Sequence, residues 1–447
     1  MADDYAPASS PVQLPPVVLP KPQTSTLSFF RKKPKPDESH NKPSKSLTDV
    51  RESKKALTSE SSKLSKITDS EKPKSNADDI ERNTRHSEVV ALMSGTTVLS
   101  SRFHSQYKIG DLVGDGAFGF VLTVTQISTN VEAAAKFIIK DKIPKEHWIE
   151  SSRFGLIPYE IHILSCLDHP NVIKYIDHFY EGPYVILITE LHGVQWSCEN
   201  PSLNPAKNPG LRKAPRPKVE TDPVDGNYEA SPLFRLTKEQ EKSIRRRTSC
   251  DLFECIDAHT HIPEHIGAKI FAQIALAVQY MHVNNIVHRD LKDENIVIGD
   301  DYFIKLIDFG SASRIPRRED EFFTKFNGTA HFASPEIAHG NPYRGPEAEV
   351  WSLGVLLFTI IFGENPFQTR ADIIKGEYRF PFKVDEPLMD LLDGMLTYDS
   401  ARRYSIRDVI GHPWLKKPIE SLKKEYRHFD FAPCIDIDYI HESDVDE

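Results

Sequence analysis

The sequence is poor in what a membrane, secreted or metal-stapled protein would need. No run approaches the ~18 consecutive apolar residues of a membrane span. The start, Met1-Ala2-Asp3-Asp4, has neither a basic nor an apolar leader region, so secretion is not expected. Cysteines number only five, an odd count without a paired CxxC, which argues against a disulfide framework or a zinc site. A reducing compartment, cytoplasm with or without the nucleus, is the expectation. Net positive charge is also absent: the chain stands at −9, with seven acids and no Lys or Arg from Asp430 to Glu447. That balance gives no reason to expect nucleic-acid binding.

Aromatics are missing from the first hundred residues, which hold only Tyr5, Phe29 and Phe30 of 43. The same stretch has 17 serines, and nine prolines fall in its first fifty positions. Such a segment cannot bury enough apolar surface to offset its ordering entropy, so residues 1–105 read as a disordered Ser/Pro/Lys-rich tail. Its basic cluster, Arg31-Lys32-Lys33-Pro34-Lys35, reads as solvated linker charge, with a nuclear-import patch as the alternative.

Beyond residue 105 the chain is long enough to build a large core. Tyr107–Val113 and Phe120–Gln126 read as strands around a glycine-rich turn, and Val131–Ile139 as a third. Ile161, Leu164 and Leu167 predict a helix over 156–167. Two more strands, Lys174–Tyr180 and Tyr184–Glu190, complete a five-stranded lobe with one helix. Residues 194–248 carry seven prolines and read as a disordered insertion. From Asp251 helical periodicity takes over, through Ile266–Met281, Trp351–Phe362 and Leu388–Leu396, to an end near residue 415. Residues 416–447 read as an acidic tail. The fold class is α+β, a small sheet lobe followed by a larger helical one.

Several residues carry chemistry. Gly114-Asp115-Gly116-Ala117-Phe118-Gly119-Phe120-Val121 lies between two strands rather than opening a helix. That suits a flap whose backbone covers phosphates, with an ordinary glycine-rich hairpin as the alternative. Lys136 sits inside the apolar strand Ala133-Ala134-Ala135-Lys136, where a lysine is costly unless paired, and Glu160 on the first long helix is the candidate partner. His288-Arg289-Asp290-Leu291-Lys292-Asp293-Glu294-Asn295 packs a base, a cation and an amide ligand into eight residues. Asp308-Phe309-Gly310 comes thirteen residues past Asn295. An Asn and an Asp brought together by a hairpin can hold a hard cation through oxygen.

In this order the motifs resemble the eukaryotic protein kinases, with Ser334-Pro335-Glu336 where that family usually has Ala-Pro-Glu. The resemblance covers about 107–415. Lys292-Asp293-Glu294-Asn295, Leu306 to Ala312 and Gly340 to Glu347 make the catalytic domain most similar to PAS kinases and more distantly to PIM kinases, although no PAS domain is evident. The resemblance implies a bilobal Ser/Thr protein kinase using ATP and Mg²⁺ on protein substrates, with a pseudokinase scaffold as the alternative. It assigns Asp290 the substrate proton, Lys292 the transferring phosphoryl group, and Asn295 and Asp308 the metal. Lys136, paired to Glu160, would hold the α- and β-phosphates. The loop from Val113 to Val121 would cover the nucleotide. Glu190 and His192 would offer hinge backbone groups behind Thr189, and Val121, Ala134 and Val297 would sandwich the adenine. No membrane partner is expected, and the protein should act as a monomer.

Five further features, some shared with the family and some departing from it, set expectations. Glu349 replaces the usual Asp two residues before Trp351, and should still cap the catalytic-loop backbone. Glu336 should pair with Arg403. Lys325 stands where many kinases have an activating Thr, which leaves phosphorylation-dependent activation unneeded; the acids at 319–321 could supply charge to Arg289 instead, or form a solvated loop. Glu294 and Asp251 resemble the acids that read an upstream Arg in related kinases. The insertion ends in Arg245-Arg246-Arg247-Thr248-Ser249, which reads as an incidental Arg run in a disordered insertion or as a basophilic acceptor or pseudosubstrate.

Overall fold

The computed structural model describes residues 87–97, 99–116, 118–194, 250–259, 262–318 and 320–427. The sequence readings for 1–86, for the insertion with its Thr248 and Ser249, and for the acidic C-terminus from 428 lie outside the described residues, as does Ala117.

The first lobe is an antiparallel sheet ordered β1-β2-β3-β7-β6, formed by β1 (Tyr107–Gly116), β2 (Gly119–Gln126), β3 (Glu132–Ile139), β6 (Tyr175–Glu181) and β7 (Tyr184–Glu190). The strand alternation of β-branched and aromatic residues gives the sheet two apolar faces. One face carries α3 (Tyr159–Cys166), through Ile161 and Leu164. The other carries Phe120, stacked on Phe137 at 4.8 Å, with Phe179 and Tyr184 in the same cluster.

Two elements here depart from the sequence reading. The N-terminal tail does not run unbroken to 105: a helix over 87–93 (α1) and α2 (Ser101–Gln106) fold onto the aromatic face. Val89, Leu92, Leu99 and Phe103 are buried there. Glu181 accepts the Ser100 amide at 2.8 Å, and Tyr184 donates to Glu88 at 2.5 Å. Without this cover the face would expose a contiguous apolar patch. The second departure is a short hairpin, β4 (Trp148–Ser151) and β5 (Gly155–Pro158), between β3 and α3. The predicted helix therefore begins at Tyr159 rather than 156.

The second lobe is built on α5 (Glu264–Val283) and α7 (Gly345–Phe362). Both are long and apolar enough to cross a membrane by length and composition, which the sequence reading had not expected, but both pack in the core. Around them lie α4 (Leu252–His259), α9 (Glu386–Met395) and α10 (Ile406–Gly411), with α6 (Pro335–Ala338) and α8 (Arg370–Lys375) on the periphery. The lobe does not end at 415. A further helix, α11 (Lys416–Glu425), buries Ile419 and Leu422, and Tyr426 continues from it into the interior. Two short ladders sit at the junction of the lobes: β9 (Ile296–Ile298) with β10 (Ile304–Leu306), and β8 (Ile286–Val287) with β11 (Ser313–Arg314).

The insertion leaves and re-enters the domain at a single point. The Val194 amide donates to Ile298 O at 3.1 Å, and Ile298 N donates to Cys250 O at 3.0 Å. Gly193, at φ +98°, permits the approach, since a Cβ there would lie 2.6 Å from the Cys250 Cβ.

Candidate active site

The glycine-rich turn joins β1 to β2 in the register Gly116 opposite Gly119. Gly119 has φ +155°, and a Cβ on it would fall 1.8 Å from Phe137 O, so the backbones can meet only at glycine. Phe118 projects at the tip, 58% exposed. Behind the turn lies a cavity of about 270 Å³ lined by Val113, Gly114, Val121, Ala134, Thr189 and Val297, among others. Glu190, His192, Asn295, Asp308, Lys136 and Glu160 face it as well.

Phe120 does not join them. Its ring turns to the far face and belongs to the core with Phe137, because alternate residues of a strand face opposite ways. Glu190 presents backbone rather than carboxylate to the cavity, for Lys305 Nζ and Lys174 N both bond its Oε1 at 2.8 Å. His192 is oriented by a 2.9 Å contact between its Nε2 and Phe303 O. Leu164, Ile173, Leu187 and Ile307 also line the cavity and carry no signal in the sequence that assigns them to it; they are buried or half-buried apolar positions like dozens of others.

Lys136 is the centre of the charge arrangement. Its Nζ lies 2.6 Å from Glu160 Oε1 and 2.9 Å from Asp308 Oδ1. Burial opposes a charge on Lys136, yet the carboxylates of Asp308 and Glu160 hold its pKa above the ordinary lysine value. Lys136 in turn holds the Asp308 carboxyl down at about 2, against burial. Burial pushes the Glu160 carboxyl up, against the pull of Lys136. The expected pair therefore forms, and Asp308 joins it.

Asp290 is fixed from three directions. Thr329 donates to its Oδ1 through both the amide and the hydroxyl at 2.8 Å. Asn295 Nδ2 donates to Oδ2 at 3.0 Å and to the Asp290 carbonyl at 2.8 Å. Lys292 Nζ stands 3.8 Å from Oδ2 and pairs with Glu294 at 2.8 Å. Because the Asn295 amide nitrogen is spent on Asp290, its oxygen is the face left to accept a cation. No group of three or more His, Cys, Asp or Glu residues suited to a metal exists among the described residues. An ionised Asp308 with one amide oxygen fits Mg²⁺, which takes one or two protein oxygens and completes its shell from phosphates and water.

The catalytic loop rests on Glu349, as expected from sequence. Its Oε1 accepts the amides of His288 at 2.7 Å and Arg289 at 2.9 Å, and its Oε2 lies 2.7 Å from His282 Nε2. Arg289 sits at φ +66°, a strained conformation for a side chain of its size. Glu336 forms the expected fork with Arg403, both oxygens at 2.9 Å, and Arg403 is fully buried.

The acids at 320 and 321 do not reach Arg289. Asp320 and Glu321 pair with Arg318 at 2.8 and 3.7 Å, while Glu319 lies outside the described residues. Arg289 instead donates to Lys325 O at 2.6 Å and Tyr343 Oη at 3.2 Å, and stacks 4.6 Å above the Phe323 ring. The activation segment is thus tied down by backbone and aromatic contacts.

The family described as "Protein kinase domain" matches residues 107–197 and 244–415. The chain is 35% identical over 329 residues to the PAS domain-containing serine/threonine-protein kinase of Mus musculus, across 74% of this chain and 20% of that protein. It is 30% identical to serine/threonine-protein kinase PSK2 of Saccharomyces cerevisiae, across 70% of this chain and 24% of that one. It is 29% identical to NUAK family SNF1-like kinase 1 of Homo sapiens, across 69% and 38%. The chain thus spans about a fifth to two-fifths of the length of these curated relatives. A complete set of kinase motifs, a two-lobed fold that assembles them in one cleft, and a family match over more than half its length place this chain in the protein kinase family.

Proposed function

We propose that the chain transfers the γ-phosphoryl group of ATP to Ser or Thr hydroxyls of protein substrates. The observation that carries this reading is Lys136 bonded at once to Glu160 and Asp308, across a cleft from an Asp290 held ready by Thr329 and Asn295. Lys136 would hold the α- and β-phosphates, and the turn at 114–119 would cover them with backbone. Asp290 would orient the substrate hydroxyl and accept its proton, with Lys292 steadying the group in flight. Mg²⁺, held by Asn295 and Asp308, would offset charge on the phosphate oxygens. All four of Lys136, Asp290, Asn295 and Asp308 are present and engaged, which favours catalysis over a scaffold role.

Substrate choice would be set by charge beside Asp290. A groove of about 380 Å³ is lined by Asp257, Asp293, Glu294 and Glu364, together with Lys292 and Thr329. Asp251 lines the adjoining nucleotide cavity with Glu294. Such a surface would select Arg upstream of the acceptor, through bidentate pairing that Lys cannot match. A reducing compartment would keep Cys166, Cys250 and Cys255 as thiols. The test is a peptide array with purified protein and Mg-ATP, run beside Lys136→Met and Asp308→Asn. Each substitution should lower turnover by at least about a hundred-fold with the fold retained. Turnover by Asp308→Asn at the native rate would refute the metal assignment, and an array without upstream Arg enrichment would refute the substrate reading.

A further inference from the structure

The helix just past the family-matched region reaches the catalytic machinery from behind. After α11, Tyr426 turns inward and is 4% exposed. Its hydroxyl donates to Asn171 Oδ1 at 2.7 Å, 255 residues away in sequence. Asn171 is fully buried, and both polar atoms of its side-chain amide are engaged. Its Nδ2 donates to Gln273 Oε1 at 3.1 Å on α5 and to Ile304 O at 2.9 Å on β10. Its backbone carbonyl accepts the Leu306 amide at 2.8 Å, and Gln273 Oε1 also accepts Ile304 N at 3.1 Å.

The placement of that amide is what gives it consequence. Asn171 lies in the loop leaving α3, the helix that carries Glu160. Ile304–Leu306 is the strand that runs into Asp308. One side-chain amide therefore ties the Glu160 element to the Asp308 element, and Tyr426 saturates its oxygen. Taking the hydroxyl away leaves a buried acceptor without its donor, at a point where rotation of the amide would release Ile304 and Gln273 together.

We propose that Tyr426 is a positioning residue for the Lys136–Glu160–Asp308 set, acting through Asn171. The turnover readout rests on the phosphotransfer reading above; the binding readout does not. Tyr426→Phe keeps the ring and removes only the hydroxyl. It should raise the KM for ATP and lower kcat, each by about three- to ten-fold, with the KM for peptide unchanged. The rise in melting temperature produced by Mg-ADP should shrink in parallel. Leu422→Ala is the control, because it loosens the same helix by packing and does not touch Asn171. It should lower the melting temperature while leaving the KM for ATP and the Mg-ADP shift at native values. In Asn171→Leu, adding Tyr426→Phe should change the Mg-ADP shift no further. The proposal is overturned if Tyr426→Phe lowers the melting temperature but leaves the KM for ATP, kcat and the Mg-ADP shift unchanged. It is equally overturned if Leu422→Ala weakens nucleotide binding as much as Tyr426→Phe does. Should the native protein turn over no peptide, the phosphotransfer reading fails, and the Mg-ADP shift alone still decides the role of Tyr426.

Discussion

Replacing Glu349 by the family's usual Asp should damage this protein. The Glu349 carboxylate is 3% exposed and accepts from three donors at 2.7 to 2.9 Å. Asp is shorter by one carbon–carbon bond, about 1.5 Å, which would carry its oxygens beyond hydrogen-bond range unless the helix or loop moved. Bonds to a charged acceptor contribute about 1.5–3 kcal/mol each, so complete loss of three sets a ceiling near 5–9 kcal/mol. These bonds also hold Arg289 at its positive φ, a conformation that costs on the order of 1–3 kcal/mol by itself. Partial repacking recovers some of this, and the expected loss for Glu349→Asp is about 3 kcal/mol, against a typical total stability of roughly 5–15. In a domain of this size, at about 2.1 cal/mol/K of unfolding entropy per residue, that is a fall in melting temperature of roughly 5 °C. Turnover should fall as well, because Asp290 is the next residue after Arg289. Glu349→Gln keeps the length and one acceptor for both amides, and should cost less than the Asp variant. Thermal denaturation monitored by circular dichroism, with steady-state kinetics, separates the cases. An Asp variant as stable and active as the native protein, or a Gln variant worse than Asp, would refute the geometric argument.

Two further predictions concern the activation segment and the catalytic loop. Thr324→Ala should retain turnover within about two-fold, because Arg289 is satisfied by Lys325 O, Tyr343 and the Phe323 ring rather than by a phosphate; a collapse restored by Thr324→Glu would make Thr324 the switch. Burial pushes the Asp293 carboxyl up to about 6 from an ordinary 3.8. An acid raised in this way is a liability only when ionised, so its cost is absent below about pH 4, grows between pH 4 and 6, and is complete above. Asp293→Asn should therefore gain up to about 2–3 kcal/mol over the native protein at pH 8 and little at pH 4.5. A stability difference that does not change with pH would place the Asp293 carboxyl in water.

The sequence alone picked out the charged cluster of the cleft and most of the frame. Lys136, Glu160, Asp290, Asn295 and Asp308, which the fold brings together, were legible because charged and amide residues inside otherwise apolar strands and at short loop spacings stand out locally. The five strands were legible because alternation is local, and β7 begins and ends at the residues read from sequence. The buried fork of Glu336 and Arg403 and the cap by Glu349 were reached by family likeness rather than by pattern.

Tertiary structure decided what composition and local pattern hide. Residues 87–106 mix apolar positions with serines, threonines and charges and follow a long polar tail, and only the aromatic face they cover makes Val89, Leu92, Leu99 and Phe103 a fourfold anchor. The hairpin at 148–158 merges with the helix after it, since Ile157 and Ile161 share helical spacing and two four-residue strands leave little alternation to read. The end of the helical lobe could have been found, for Leu415, Ile419, Leu422 and Tyr426 recur every three to four residues. Their destination could not. Whether a tyrosine at the end of a charged helix lies in water or bonds Asn171 depends on how the loop after α3 packs with α5 and β10, with Asn171 itself 255 residues away in sequence. The pairing of Asp320 with Arg318, and of Arg289 with the Lys325 backbone, is decided the same way: sequence supplies the charges, and only the path of the chain sets which of them meet.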